Sequence, residues 1–280
     1  MEKLACIFVI FLLILSPNLH AQSLPNETTD ASTLRFEELS QLSWQTVFYD
    51  SCTADWQRHW TLDGKLAHIT HSERGMDFWA GHQRKVDAHH AVLWTKPSFE
   101  GDLRIDYTYT KLDDRQEAVN ILYVQATGSG EGEFKQDIAS WADLREVPAM
   151  RTYFQHMNLL HISYAAFPLF KEGEKEAQSE DWQDYIRARR YLPQSSKGLK
   201  ETDLDPDYFQ TGLFEQGVPY QITVIKHGDD FFMFIHNDAD ELLCHWRLDQ
   251  IPPITEGRIG LRHMWTRGAR YRDFRVSQLN

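Results

Sequence analysis

Cysteine is scarce in this chain, and so are long apolar runs, positive charge and any repeat. The 280 residues contain three cysteines, Cys6, Cys52 and Cys244. Two remain if the N-terminus is removed, too few to suggest a structural zinc site. The apolar run from Leu4 to Leu15 is too short for a comfortable membrane span, and no later stretch is long and apolar enough to cross a membrane. The formal charge of −12 argues against a nucleic-acid partner. No internal repeat or low-complexity tract is present. The strands also lack the Glu-x-Asp-x-x-Glu string with which a retaining sandwich glycosidase sets two carboxylates on one strand face.

The first residues form a separate unit. In "MEKLACIFVIFLLILSPNLHAQS", Lys3 precedes an apolar run, Ser16-Pro17 follows it, and Ala21 supplies a small residue. This pattern predicts a secretory signal peptide over 1–21, and hence export to the periplasm or the extracellular space. Residues 22–43 are polar and are expected to be a mobile lead-in; 44–280 are expected to form one domain. Cys52 and Cys244 then remain as an even pair in an oxidising compartment, either as a disulfide or as two separate buried thiols.

Within 44–280 the dominant signal is short strands separated by turn residues. In "DLRIDYTYT", Leu103, Ile105, Tyr107 and Tyr109 alternate with Arg104, Asp106 and Thr108, as in a half-buried strand. His227-Gly228-Asp229-Asp230 reads as a hairpin turn between two β-rich runs. Many such strands and little helix predict an antiparallel β-sandwich or jelly roll. One block differs: Trp182, Tyr185 and Ile186 recur at helical spacing within 172–192, and a long loop follows, so 171–217 is read as a partly helical insertion over one rim.

The string "FYDSCTADWQRHWTLDGKLAHIT", the runs "LHISY" and "LPQSSKGL…DPDYF", and the closing "GRIGLRHM" together resemble the DUF1961 family over about 45–278. That resemblance implies a concanavalin A-like, LamG-type sandwich, and a carbohydrate as substrate or ligand. It implies no particular reaction, and fold alone does not assign one.

The residues themselves suggest a reaction. The chain has 13 histidines and 11 tyrosines, and six arginines crowd Arg258 to Arg275 against one acid, Asp273. β-Elimination on a uronic acid needs a base for the C5 proton, an acid for the leaving oxygen and a cation for the carboxylate. His or Tyr, with Arg, supply these. Period-2 counting places His161 with Leu159, Ser163 and Ala165, and Tyr164 on the opposite, apolar face of the same strand. Arg262 falls on a face with Gly260 and Met264, and His263 falls with Ile259 and Leu261. The small neighbours of His161 and Arg262 leave room for a ligand.

The catalytic candidates are therefore His161 or Tyr153 as acid and base, with Arg262 for the carboxylate. Candidates for substrate contact are His89, His90, Tyr123, Gln125, His156, Tyr164, Lys197 and His263. The expected partner is a poly- or oligosaccharide bound by a monomer. Two alternatives stay open: a non-catalytic lectin-like module stacking sugars on Trp79, Trp94 or Trp265, and a glycoside hydrolase whose carboxylates come from separate elements. No catalytic metal is expected. His68 and His71 fall on opposite strand faces, and the oxygens of "GDD" and "HNDAD" lack the spacing of a calcium loop, although a structural Ca²⁺ is compatible with the fold.

Overall fold

A computed structural model describes residues 27–169, 183–193 and 199–279. The segment expected to be a signal peptide, Lys197 and Trp182 lie outside the described residues. No helix among the described residues is long and apolar enough to cross a membrane.

The described residues form sixteen strands. They are β1 (Gln45–Asp50), β2 (Trp60–Asp63), β3 (His68–Ser72), β4 (Gly75–Trp79), β5 (Ala91–Thr95), β6 (Phe99–Glu100), β7 (Leu103–Lys111) and β8 (Ala118–Gly128). They continue as β9 (Met157–Phe167), β10 (Tyr185–Tyr191), β11 (Asp203–Phe209), β12 (Pro219–His227), β13 (Asp230–His236), β14 (Glu241–Arg247), β15 (Glu256–His263) and β16 (Gly268–Gln278). Two helices are added, α1 (Glu27–Ser40) and α2 (Met150–His156).

The first sheet has the order β14-β13-β12-β7-β16-β4-β3, with β1 also on β16; the second has β11-β10-β9-β8-β15-β5-β2, with β6 on β15. All neighbours are antiparallel, so the chain is the β-sandwich its alternation predicts. On β7, Leu103, Ile105, Tyr107 and Tyr109 are buried, while Arg104 and Asp106 face outward and pair at 2.9 Å. The inner faces meet in one core, where these residues join Val224, Leu122, Leu160, Ile162 and Leu261. The predicted hairpin is present: His227 pairs with Asp230, and Gly228 takes a φ of 54°, a left-handed value that glycine adopts without strain.

Three expectations change. Residues 27–40, expected to belong to a mobile lead-in, form the helix α1, which sets Leu39 and Phe36 on Ile225 and Phe232 of the outer face of the first sheet. The block read as a helical insertion contributes two strands of the second sheet, β10 and β11. There the helical spacing of Tyr185 and Ile186 is overridden by a period-2 row, Arg187, Arg189 and Tyr191.

The third change concerns the cysteines. Cys52 and Cys244 are both buried free thiols. Cys52 follows β1, and Cys244 sits on the far edge strand β14, five strands away across the first sheet. At the usual strand separation that is about 24 Å, far beyond the reach of a disulfide. Burial raises both thiol pKa values, so neither is a ready nucleophile. Denatured without reductant, the chain from residue 22 onward is expected to show two reactive thiols; loss of both would mean a bond between them.

Candidate functional site

The outer face of the second sheet carries the residues that sequence periodicity singled out. Cross-strand register sets Tyr123 opposite His161, His161 opposite Arg189, and Ile121 opposite Arg262. His161 and Arg262 therefore share one face. Tyr123 on β8 stands between them, Tyr191 on β10 lies on the other side of His161, and over them lies α2, which follows Pro148.

His161 is the centre of this cluster. One ring nitrogen, Nδ1, is 2.7 Å from the Tyr191 hydroxyl, and Nε2 is 2.6 Å from Ser163 Oγ. Burial pushes its pKa well below the usual imidazole range, and the charges of Arg189, Arg262 and Arg187 push it further. The ring is thus neutral at physiological pH. Burial raises the Tyr191 phenol well above its ordinary value. On the rim, Arg187 Nε donates to Asp207 at 2.7 Å and Arg189 pairs with Asp203 at 2.7 Å. Arg187 keeps 22% of its side chain exposed.

Beside this cluster is a second, anchored on Asp63. Its Oδ2 accepts from Trp94 Nε1 at 2.7 Å, Arg145 Nε at 2.6 Å and the Tyr153 hydroxyl at 2.8 Å. The rings of Trp94, Tyr123 and Tyr153 lie within 13° of parallel, at centroid distances from 5.4 to 6.4 Å. The Arg262 guanidinium sits 4.4 Å over the Tyr153 ring.

This geometry reassigns several predicted residues. Tyr153 is fully buried and gives its proton to Asp63, so it is part of the floor rather than a free acid or base. Arg262 is fully buried too; its Nη2 donates to Pro148 O and His90 Nδ1, each at 2.7 Å, which keeps it from a ligand in solvent. The space expected beside Gly260 is filled by the Trp94 ring, which a Cβ would meet at 2.5 Å. Ala165 leaves the His161 face through a bulge at φ 44° and joins the core.

Other candidates have purely structural surroundings. Tyr164 and His263 point between the sheets, where Tyr164 is 3.2 Å from Tyr271 and His263 Nε2 is 2.7 Å from the same hydroxyl. Gln125, at a bulge, donates to Phe99 O and Gly101 O at 3.2 and 3.0 Å and faces away from the cluster. His89 is buried in a short 3₁₀ turn, where its Nδ1 accepts from the His82 N–H. Of the tryptophans, Trp94 and Trp265 are buried, so neither presents a free face to a sugar.

The neutral buried histidines have a thermodynamic consequence. Burial lowers the pKa of His90 and of His263 to about 3. Their unfolded values lie near 6.5. Below that pH the unfolded chain takes up protons that the folded chain refuses, so stability falls with acidification. The expected loss is on the order of 1 kcal/mol per pH unit for each histidine as the pH falls from about 6.5 towards 3. Urea midpoints that do not move between pH 7 and 5 would contradict this.

An open groove, lined by neither His161 nor Tyr191, crosses the end of β8 and the start of β9. It consists of three neighbouring recesses of about 410, 460 and 450 Å³. The first runs from the Arg258–Asp137 ion pair, at 3.0 Å, past Glu256 to Thr127 and Gln136. The second continues along Asn158, Ser129 and Pro193, and the third ends at His156, whose ring stacks on Phe134 at 3.6 Å and 8°. Amides, hydroxyls and carboxylates dominate its walls. Asn158 is three residues before His161 on β9, about 10 Å along the strand. Pro193 is two residues beyond Tyr191. Of the predicted contacts among the described residues, only His156 lies in this groove.

Sequence reasoning missed Tyr191, Arg187, Arg189, Asp63 and Arg145. The first three had a signal, the alternation of "RARRY"; for Asp63 there was none, because its three donors come from distant parts of the chain. Among the described residues, no three His, Cys, Asp or Glu side chains converge as a metal site would require.

No family model matches the chain, and no curated protein matches its sequence. Solved structures do resemble it. A Bacillus subtilis protein of unknown function with a galectin-like fold superposes with a TM-score of 0.60 at 17% identity, over 85% of this chain and 100% of the other. The exoplasmic/lumenal domain of VIP36, solved with Ca²⁺ and Man3GlcNAc, superposes with a TM-score of 0.52 at 9% identity, over 85% of this chain and 91% of that domain. These likenesses place the fold among the galectin-like and lectin-type sandwiches.

Proposed function

We propose that the chain is an exported, DUF1961-type protein that binds an acidic glycan along the polar groove. On this reading it cleaves the glycan by β-elimination at the His161–Tyr191 pair. The observation that carries this reading is His161: a neutral imidazole hydrogen-bonded to a phenol, in the field of three guanidiniums. The lectin-type neighbours support a glycan as the ligand class, since the VIP36 domain was solved with an oligomannose ligand.

Chemically, the pair takes up the C5 proton while the C5–H electrons form the C4=C5 double bond. A proton returns to the glycosidic oxygen as the C4–O bond breaks. Arg187 and Arg189, on the rim, draw the uronate carboxylate and spread the charge that develops on it. Arg262 contributes through its field alone.

A lectin-like role is the second reading. The observation favouring it is that both ring nitrogens of His161 already have partners and only 2% of the residue is exposed. Affinity electrophoresis through gels of polygalacturonate, alginate and a neutral glucan tests the shared part. Retardation confined to the uronate gels is expected; equal mobility in all three would end the acidic-glycan reading. New reducing ends without unsaturated uronate would instead point to a hydrolase, with groove carboxylates such as Glu256 and Asp137.

A further inference from the structure

The second sheet also contributes to a recess between the two sheets, on the opposite side of β10 from Arg189 and Tyr191. Its volume is about 250 Å³, below the range of pockets for drug-sized ligands and suited to one sugar unit or an inorganic oxyanion. Leu160 and Arg190 line it from the second sheet, Lys226 lines it from the first, and Pro252 closes one side.

Arg190 is 3% exposed and Lys226 5% exposed, so both cations are buried. Among the described residues, Arg190 has no carboxylate partner. Its Nε and Nη2 donate to Pro252 O at 3.2 Å, and Nη1 donates to Tyr191 O. Three of the five guanidinium N–H groups are thereby used and two remain. Lys226 Nζ donates to Gly101 O at 3.1 Å and reaches Asp102 only at 3.8 Å. Two acids, Asp229 and Asp249, stand at the mouth, but Arg247 holds both, at 3.9 and 3.6 Å. A buried guanidinium satisfied by neutral carbonyls alone is costly, and an anion that enters the recess removes the cost. Consistent with this, burial lowers the Arg190 pKa to about 10 and no neighbouring anion raises it.

We infer that Arg190 and Lys226 form a binding site for a small oxyanion, either the carboxylate of a single acidic sugar or an inorganic sulfate. This site is separate from the groove and from His161, and it stands whether or not the chain is a lyase. Arg190 supplies a two-pronged contact and Lys226 a point charge.

Isothermal titration of the whole mature protein with glucuronate, sodium sulfate and glucose tests the inference. Saturable binding of at least one anion, and none of glucose, is expected. Sulfate without glucuronate would assign the recess to inorganic oxyanions, and glucuronate without sulfate to sugar acids. The Lys226→Met and Arg190→Lys variants, with folding checked by circular dichroism, should each bind about tenfold more weakly or worse. No saturable binding of either anion by the wild type, or unchanged affinity in folded Lys226→Met and Arg190→Lys, would overturn the inference.

Discussion

Replacing Asp63 by alanine is expected to lower the free energy of unfolding by about 3–5 kcal/mol. Asp63 and Arg145 expose 2% and 1% of their side chains, and one carboxylate oxygen serves an indole, a guanidinium and a phenol at once. Removing it leaves a buried cation and two buried donors unpaired, each at a desolvation cost. The double variant Asp63→Ala with Arg145→Met should recover much of the loss, because it deletes the stranded charge as well. Urea unfolding of the three proteins measures this. A single variant within about 0.5 kcal/mol of the wild type would mean that the triad is not what fixes α2 and Trp94 to the sheet.

Changing Tyr191 to phenylalanine or His161 to alanine should have the second large effect, and on turnover more than on stability. If the pair moves the proton, each variant is expected to lose about 10²–10⁴ in kcat on a uronate polymer, with the smaller change in KM. Tyr191→Phe removes one oxygen from a ring that otherwise keeps its packing beside Tyr123 and Phe154. Its circular dichroism spectrum should therefore stay close to the wild type, while the lost partner of His161 Nδ1 lowers the free energy of unfolding by about 1–3 kcal/mol. An equal fall in binding and in rate would place the pair in ligand contact alone. Full activity in Tyr191→Phe would remove it from the chemistry.

The two outcomes depend on parts of the molecule that differed in how readable they were. Period-2 alternation placed β7 correctly and divided "LHISY" correctly, with His161 outward and Tyr164 in the core, because each strand has one face against a single core. It also put Arg262 on the right face. It could not show that α2, Pro148 and Trp94 cover that face, since the cover comes from residues more than 100 positions away from Arg262. β10 was hidden for a different reason. Its arginines are good helix formers, and only the acids of β11, Asp203 and Asp207, make an arginine-rich strand stable. Asp63, the acceptor that holds three donors together, stands in the sequence as one ordinary residue before a glycine.

Absorbance at the unsaturated-uronate band, followed while the mature protein is incubated with a panel of uronic-acid polysaccharides, tests the central claim most directly. The account predicts a steady rise on at least one polymer, abolished in Tyr191→Phe and His161→Ala and unaffected by Lys226→Met. No rise on any member of the panel to which the protein demonstrably binds would contradict elimination chemistry and leave the groove as a lectin-type site.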